Sequence, residues 1–330
     1  MTILKDDFSE NIGPSRPVII LGVDRSGTSV VAQLTHEWGA YGGDPSSLMR
    51  SDSANPHGFW EYLPMVRLIH QVFREVGYDF WRPGYEEALR TTAGDPRFRA
   101  PAEELIASMA AGGAAWFWKE PWLCLQLPFW QEIWGDASYI ITVRNPYDSS
   151  VSWQKMTLPS GAESRLRLVA LGLLRWQYFM LSVLRHVEGS RRLLFVQYED
   201  LIQDPRAQSA RICGFLDREV GTARVAEGRA ERMAEAVDGS LWRNRSPVDF
   251  SQIEIASREQ KALYELLRSK VADPEARFDP DSYPMYPGWR EYLHNFNEAE
   301  GAVRQFLGSR LVRLALALDG WRASFRLRRS

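Results

Sequence analysis

A loop rich in glycine and hydroxyl side chains follows the first apolar segment of the chain. It reads GVDRSGTS over residues 22–29, directly after the apolar run VIIL. Its two glycines permit a tight turn, and backbone amides at the start of the next helix can bind an anion. Thr28 and Ser29 add hydroxyl donors, and Arg25 adds a planar cation suited to two oxygens of one group. The loop predicts an anion site; a generic turn between strand and helix is the alternative.

The spacing of Gly22 and Gly27 is that of a Walker loop, GxxxxGK[ST], but no lysine follows Gly27. In a Walker loop that lysine binds the β- and γ-phosphates of ATP or GTP. Its absence argues against nucleoside triphosphate hydrolysis. A nucleotide kinase that uses ATP and magnesium is retained as the main alternative function.

Polar residues follow each of four segments that read as buried parallel strands, at 17–23, 114–121, 137–146 and 191–201. Strands that alternate with helical segments predict an α/β fold, a P-loop-like three-layer α/β/α arrangement around a parallel sheet. Ligands bind at the carboxyl ends of such strands. The predicted strand ends carry the sequences DRSGTS (24–29), KE (119–120), RN (144–145) and YED (198–200).

A second pattern, VRNPYDSSVS over residues 143–152, places Arg144 at a strand end and Ser152 eight residues later. Ser152 lies about two helical turns along the next helix, so both side chains can reach one pocket. Together with GVDRSGTS, this pattern resembles the sulfotransferases that use 3′-phosphoadenosine 5′-phosphosulfate (PAPS). The resemblance implies that Arg144 and Ser152 bind the 3′-phosphate. It implies that the phosphosulfate is bound by the loop residues Arg25, Ser26, Gly27, Thr28 and Ser29.

Two further segments resemble the same family. VQYEDLIQDP, residues 196–205, is similar to a strand that ends in Tyr-Glu-Asp, which implies that Tyr198 neighbours the adenine or ribose. We expect Glu199 and Asp200 to cap the following helix. SLWRNRSP, residues 240–247, resembles a late basic loop that closes over the 3′-phosphate, which implies a role for Arg243. Trp242 is expected either to stack on adenine or to belong to the core.

Two more motifs, NPHGFWE (55–61) and WKEPW (118–122), resemble bacterial stand-alone sulfotransferases more narrowly. Those proteins commonly carry lysine where this chain has His57, and arginine where it has Trp122. We assign His57, Trp60 and Trp122 to acceptor binding, with contacts that differ from those of the relatives. The resemblance covers about residues 17–250 of the chain.

Sulfuryl transfer to an alcohol requires cations beside the departing phosphate and a base for the hydroxyl proton. Arg25 and Lys119 are the candidate cations, and no metal is expected. Glu61 is the leading candidate base, because its loop and aromatic neighbours could desolvate it and it aligns with a family glutamate. His57 is the second candidate, ahead of His70 and Glu120. His36 and His186 are expected to be packing or surface residues.

Helical patterning is predicted at 26–38, 63–76, 101–111, 146–156, 163–187, 205–216 and 254–272. The resulting organisation is an N-terminal tail (1–16), a sulfotransferase domain (17–250) and a helical extension (251–330). Residues 309–330 form a basic amphipathic pattern. It is expected to pack on the domain, with weak membrane-surface contact as the alternative.

Composition excludes several classes. The chain has 330 residues, a formal net charge of −2 and 45% apolar residues, which argues against bulk binding to nucleic acid. Its two cysteines and polar N-terminus predict a cytoplasmic protein without a signal peptide. The apolar run 166–184 contains two arginines, which favours a buried helix over a membrane span.

The sequence therefore predicts sulfuryl transfer from PAPS to a hydroxyl on a glycan, a glycolipid or a small natural product. A nucleotide-binding protein without catalysis is the third candidate. No segment of the sequence identifies the acceptor.

Overall fold

The computed structural model of the chain describes residues 16–51, 55–78, 80, 82–112, 115–157, 162–221 and 228–285, except for the side chains at 156–157 and 162–165. The predicted N-terminal tail up to residue 15 and the basic segment 309–330 lie outside the described residues.

Four parallel strands form the sheet at the centre of the protein. They are β1 (Pro17–Leu21), β2 (Trp116–Lys119), β3 (Ser138–Val143) and β4 (Leu193–Gln197), in the spatial order β2-β1-β3-β4. β1 pairs with β2 on one side and with β3 on the other. All four predicted strands are present, each shorter than predicted, because the polar residues at their carboxyl ends leave the sheet and enter loops or helices.

Helices connect and cover the strands. Their bounds are α1 Thr28–Trp38, α2 Leu63–Val76, α3 Tyr85–Gly94, α4 Pro96–Ala111, α5 Leu127–Trp134, α6 Pro146–Thr157, α7 Ala162–Val187, α8 Tyr198–Gln203, α9 Pro205–Glu219, α10 Arg229–Glu235 and α11 Arg258–Ala272. The predicted helices are all present, within five residues at each bound. Helices α3, α5, α8 and α10 were not predicted.

The side chains of β1 alternate between two hydrophobic clusters, as a strand buried on both faces requires. Val18 and Ile20 pack into the cluster formed with α1, α9 and α10. Ile19 and Leu21 pack into the larger cluster formed with α2, α5, α7 and α11. The fold is thus the predicted three-layer α/β/α arrangement, with the carboxyl ends of the strands meeting at one edge.

Part of the predicted C-terminal extension belongs to the same compact unit, which runs to Met285. Ile253, Leu263 and Phe278 are buried in the larger cluster. The remainder of the extension, from residue 286, lies outside the described residues.

Helix α7 contains the apolar run seen in the sequence. Residues 166–187 would suffice to cross a membrane by length and composition, but 61% of their most apolar window is buried inside the protein. Leu173, Phe179 and Leu184 of this helix contribute to the larger cluster. The burial is that expected of a core helix.

Candidate active site

The loop after β1 depends on its two glycines for close packing. Gly27 has φ 98°, and a Cβ there would overlap the ring of Tyr198. A Cβ at Gly22 would overlap the hydroxyl of Thr142. Helix α1 then begins without a side-chain cap, so its first amides are left for another partner. The loop has the open helix start that anion binding needs.

Ser26 stabilises the loop itself. Its hydroxyl donates to the Val23 carbonyl at 2.6 Å and lies 2.7 Å from Thr142 Oγ1. Its backbone amide also donates to the Val23 carbonyl, at 3.2 Å. The side chain is 2% exposed and does not line the cleft described below. Of the predicted loop contacts, Ser26 is thus committed to the turn.

Three residues from two separate motifs meet at this loop. Arg25 donates from Nε to Ser152 Oγ at 3.0 Å. Arg144 donates from Nη1 to the Arg25 carbonyl at 2.7 Å. Arg25 has φ 67°, a left-handed conformation that costs energy for a residue with a side chain. The contacts from β3 and α6 hold it there, and they bring the two predicted phosphate motifs together.

Arg144 is held on three sides. Its guanidinium lies 4.5 Å from the centre of the Tyr198 ring, and Nη2 donates to the Asn244 carbonyl at 2.9 Å. The residue is 6% exposed, yet its Nε is buried with no hydrogen-bond partner among the described residues. A buried, unfilled donor on a cation fits an anionic oxygen.

A cleft opens beside these residues. Its lining is Arg25, Gly27, Thr28, Ser29, Val30, Gln33, Asn55, His57, Gly58, Arg144, Tyr198, Ile202, Asp238 and Leu241. The lining combines the loop, the two arginines and apolar side chains from α1 and α8. The cleft could accept an anionic ligand that has an apolar, planar part.

His57 closes one side of the cleft through a side-chain contact with Asp238. Its Nε2 lies 3.1 Å from Asp238 Oδ2. This contact joins the segment 55–61 to the loop that contains Asp238. A hydrogen bond from the Ser240 hydroxyl and the contact with His57 lower the pKa of Asp238 to about 2. His57 therefore faces a carboxylate that stays ionised. Asp238 was not predicted as a site residue.

Glu61 and Lys119 form a buried ion pair beyond the loop. Lys119 Nζ lies 2.6 Å from Glu61 Oε1, and the side-chain exposures are 2% and 11%. Lys119 ends β2, whereas Glu61 enters from the segment before α2. The hydrogen bond from Lys119 fixes the position of the Glu61 carboxyl group, which is the candidate base. It also commits the predicted phosphate cation, Lys119, to a carboxylate.

Two further carboxyl groups lie close to this pair. Burial and the neighbouring Glu61 raise the pKa of Glu120 well above its ordinary value. Asp24, in the loop, is bound through two hydrogen bonds by Arg175 of α7, one of them at 2.8 Å. Burial alone would raise the pKa of Asp24, but the Arg175 guanidinium overrides it and holds that pKa below the ordinary value. The pairing of Asp24 with Arg175 was not predicted.

The two tryptophans predicted for acceptor binding have different environments. Trp60, with φ 59°, packs its ring 4.7 Å from His36 and 6.2 Å from Phe117. Trp60 is partly buried and packs against the smaller core cluster, and its role in acceptor binding stays a prediction. Trp122 is partly buried after β2, with the ring of Phe80 5.7 Å away. It lies three residues beyond Lys119 and can border an acceptor.

The segments after β4 depart from the predictions in detail. Glu199 does not cap its own helix; its Oε1 accepts the backbone amide of Asn145 at 2.9 Å, because β3 and β4 end side by side. Arg243 is exposed and does not line the cleft. The loop contact with Arg144 comes instead from the Asn244 carbonyl. Trp242 packs edge-on to Tyr198, with ring centres 6.3 Å apart.

The arrangement combines an anion loop, a second cationic site and a buried carboxyl group, that of Glu61, held by a lysine. Such a set can bind a doubly anionic nucleotide and remove a proton from a nearby hydroxyl. Among the described residues, no group of three or more His, Cys, Asp or Glu side chains is placed to hold a metal ion. That the reaction needs no metal stays a prediction.

Comparisons with known proteins identify one matching family and several similar solved structures. The profile of the sulfotransferase family matches residues 17–221. No curated protein matches the chain significantly. Similar solved structures include a sulfotransferase from Mycobacterium avium, with 18% identity over 82% of this chain and 79% of that one and a TM-score of 0.48.

Two other solved structures are similar at the same level. The sulfotransferase domain of the Synechococcus olefin synthase has 18% identity over 77% of this chain and 94% of its own, with a TM-score of 0.45. A sulfotransferase from Mycobacterium tuberculosis has 17% identity over 79% and 78%, with a TM-score of 0.45.

Proposed function

We propose that this chain, which belongs to the sulfotransferase family, transfers a sulfuryl group from PAPS to a hydroxyl acceptor. The observation that carries the proposal is that Arg25 and Arg144 line one cleft, with Arg25 bonded both to Arg144 and to the buried Ser152. A donor with phosphates at both the 3′ and 5′ positions of one ribose needs two neighbouring anion sites. ATP has no 3′-phosphate and would leave the second site without a ligand.

The residues of the cleft fit the parts of this donor. Thr28, Ser29 and the first amides of α1 would hold the 5′-phosphosulfate, and Arg144 with Ser152 would hold the 3′-phosphate. The unfilled Nε of Arg144 is the donor that this phosphate would use. Tyr198, which lines the cleft, would border the ribose or adenine.

The proposed transfer is a single displacement at sulfur. The acceptor oxygen forms a bond to sulfur while the bond from sulfur to the 5′-phosphate oxygen breaks, and Glu61 takes the hydroxyl proton. The products are a sulfate ester and adenosine 3′,5′-bisphosphate. Negative charge grows on the departing phosphate, where Arg25 and the α1 amides lie. Lys119 holds the Glu61 side chain in place before the proton moves.

We propose that the acceptor is a hydroxyl of a glycan, a glycolipid or a small natural product. It would approach from the side of Glu61, where the partly buried Trp122 offers an aromatic surface. Saccharide and apolar ring faces both pack on tryptophan. The free, buried cysteines at 124 and 213 support a reducing, cytoplasmic location.

A transfer assay with ³⁵S-labelled PAPS tests the activity. The labelled donor is incubated with the protein and with fractionated glycans, glycolipids and small-molecule extracts. The proposal expects label in at least one fraction, with an equal amount of adenosine 3′,5′-bisphosphate released. Binding of the bisphosphate without transfer to any fraction would favour a non-catalytic nucleotide-binding protein.

A further inference from the structure

The ion pair between Asp24 and Arg175 links the anion loop to a core helix. Asp24 directly precedes Arg25 in the loop, and Arg175 lies in the middle of α7. Their side chains are 23% and 12% exposed, and the guanidinium binds both carboxylate oxygens. A bidentate pair of this kind fixes orientation as well as charge. The pair is therefore largely buried and fixes the position of Asp24 relative to α7.

The surroundings of Arg175 hold its guanidinium in one place. The rings of Trp122, Trp153 and Phe179 lie 5.1, 5.5 and 4.5 Å from its central carbon. Aromatic faces attract a cation and exclude water from it. Arg175 thus offers Asp24 a fixed, partly desolvated partner, and the loop is tied to a rigid element.

The loop needs such an anchor at this point. Arg25 has φ 67°, and its carbonyl and its Nε are already fixed by Arg144 and Ser152. Asp24 supplies a third attachment, from α7. Without a partner, however, the Asp24 carboxylate would place a negative charge next to a site built for anions. Arg175 removes that charge from the site while it fixes the chain.

We propose that Arg175 is a positioning residue that acts through Asp24, and this rests on the proposed function. It neutralises Asp24 and fixes the backbone of residues 24–25, so that Arg25 faces the 5′-phosphate of the donor. The pair affects the 3′-phosphate, bound at Arg144 and Ser152, only through the contacts that these two residues make with Arg25.

The test uses adenosine 3′,5′-bisphosphate as the probe, with ³¹P NMR titration of the bound nucleotide and calorimetric Kd values. The variants of the full chain are R175M, R175K, D24N and the double variant D24N/R175M. The double variant replaces a buried ion pair by two neutral side chains, a change that folds tolerate better than an unpaired charge. R229M is the matched control, because Arg229 pairs with Asp217 at 2.9 Å beside Trp38, away from the cleft.

Opposite shifts are expected from the two single variants. R175M leaves the Asp24 charge unpaired, so the pKa of the bound 5′-phosphate should rise and Kd should weaken by about tenfold or more. D24N leaves the Arg175 charge unpaired, so the same phosphate pKa should fall without weaker binding. R175K and the double variant should return both quantities toward the wild-type values. The pKa of the 3′-phosphate should shift less than that of the 5′-phosphate in every variant.

The inference is overturned if R175M and D24N leave the 5′-phosphate titration unchanged, if they shift it in the same direction as each other, or if R229M shifts it as much as they do. A merely structural role would lower Tm in all three and move no phosphate pKa. Failure of the wild-type chain to bind the bisphosphate would instead reject the proposed function, so the two failures are distinguishable.

Discussion

Arg25 and Ser152 lie 127 residues apart in the sequence, yet the Nε of one donates to the Oγ of the other at 3.0 Å. Their contact joins the loop after β1 to helix α6 at the carboxyl edge of the sheet. Arg144 adds a bond to the Arg25 carbonyl from the end of β3. The two predicted phosphate sites are therefore parts of one cleft and are expected to bind one ligand.

Replacement of Arg144 by alanine should chiefly weaken donor binding. Hydrogen bonds to charged groups contribute about 1.5–3 kcal/mol, so the Kd for adenosine 3′,5′-bisphosphate should rise about 10- to 100-fold. The Kd for adenosine 5′-monophosphate, which lacks the 3′-phosphate, should change much less. Calorimetry of both ligands measures the difference. R192A, at the amino end of β4 where Arg192 pairs with Asp136, is the control. Equal losses for the two nucleotides would refute the assignment of Arg144 to the 3′-phosphate.

Replacement of Glu61 by glutamine should spare donor binding and lower turnover. A positioned base contributes about 10²- to 10⁴-fold, and glutamine still accepts the Lys119 hydrogen bond while it cannot take a proton. The measurement is ³⁵S transfer to the acceptor fraction that the wild type labels, alongside the Kd for the bisphosphate. H57Q tests the second candidate base. Full turnover in E61Q would show that Glu61 is not the base, and loss in H57Q alone would assign that role to His57.

Glu120 should make the stability of the protein depend on pH. Burial, and then the charge of Glu61, raise the pKa of this carboxyl above its ordinary 4.5, so the folded protein binds its proton more tightly than the unfolded chain does. That stabilisation is complete below the ordinary pKa and is lost as pH rises through the raised one. E120Q mimics the neutral acid and still accepts the Leu123 amide, so its Tm should exceed that of the wild type at about pH 8.

The comparison of melting temperatures across pH checks this sign. The gap in Tm between E120Q and the wild type should shrink as pH falls toward about 5. E132Q alters an exposed glutamate of α5 and should melt as the wild type does at each pH. A lower Tm for E120Q at every pH would mean that Glu120 is needed as a carboxylate.

Replacement of Gly27 by alanine should disrupt the anion loop. The residue has φ 98°, and the added Cβ would overlap the Tyr198 ring, so the loss should reach about 1–3 kcal/mol with loss of bisphosphate binding. Gly214 is the matched control, because it lies within α9 with open space around it. G214A should stabilise the protein by about 0.5–1 kcal/mol and bind the nucleotide normally. Normal binding by G27A would contradict the described loop.

Local patterns allowed much of the cleft to be predicted. Arg25, Arg144 and Ser152 each belong to a short motif whose spacing carries its own geometry. The bounds of α2 and the start of α6 were predicted from apolar spacing and from Pro146. Helices α3, α5, α8 and α10 were missed, because six to ten residues provide too few turns for an amphipathic period to stand out.

The charge pairs of the site could not be predicted in the same way. Glu61 lies 58 residues from Lys119, and Asp24 lies 151 residues from Arg175. Each pair forms because the sheet order and the path of α7 bring distant segments together, and no local pattern contains that information. The sequence therefore indicated which side chains could do chemistry but not which of them were already paired.

Calorimetric titration of the wild-type chain with adenosine 3′,5′-bisphosphate, in the presence of EDTA, shows whether the cleft binds a nucleotide with a 3′-phosphate and without a metal. We predict saturable binding, at least about tenfold tighter than that of adenosine 5′-monophosphate, since the 3′-phosphate has its own cationic site. Binding of ATP that requires magnesium, with no affinity for the bisphosphate, would contradict it and favour a nucleotide kinase.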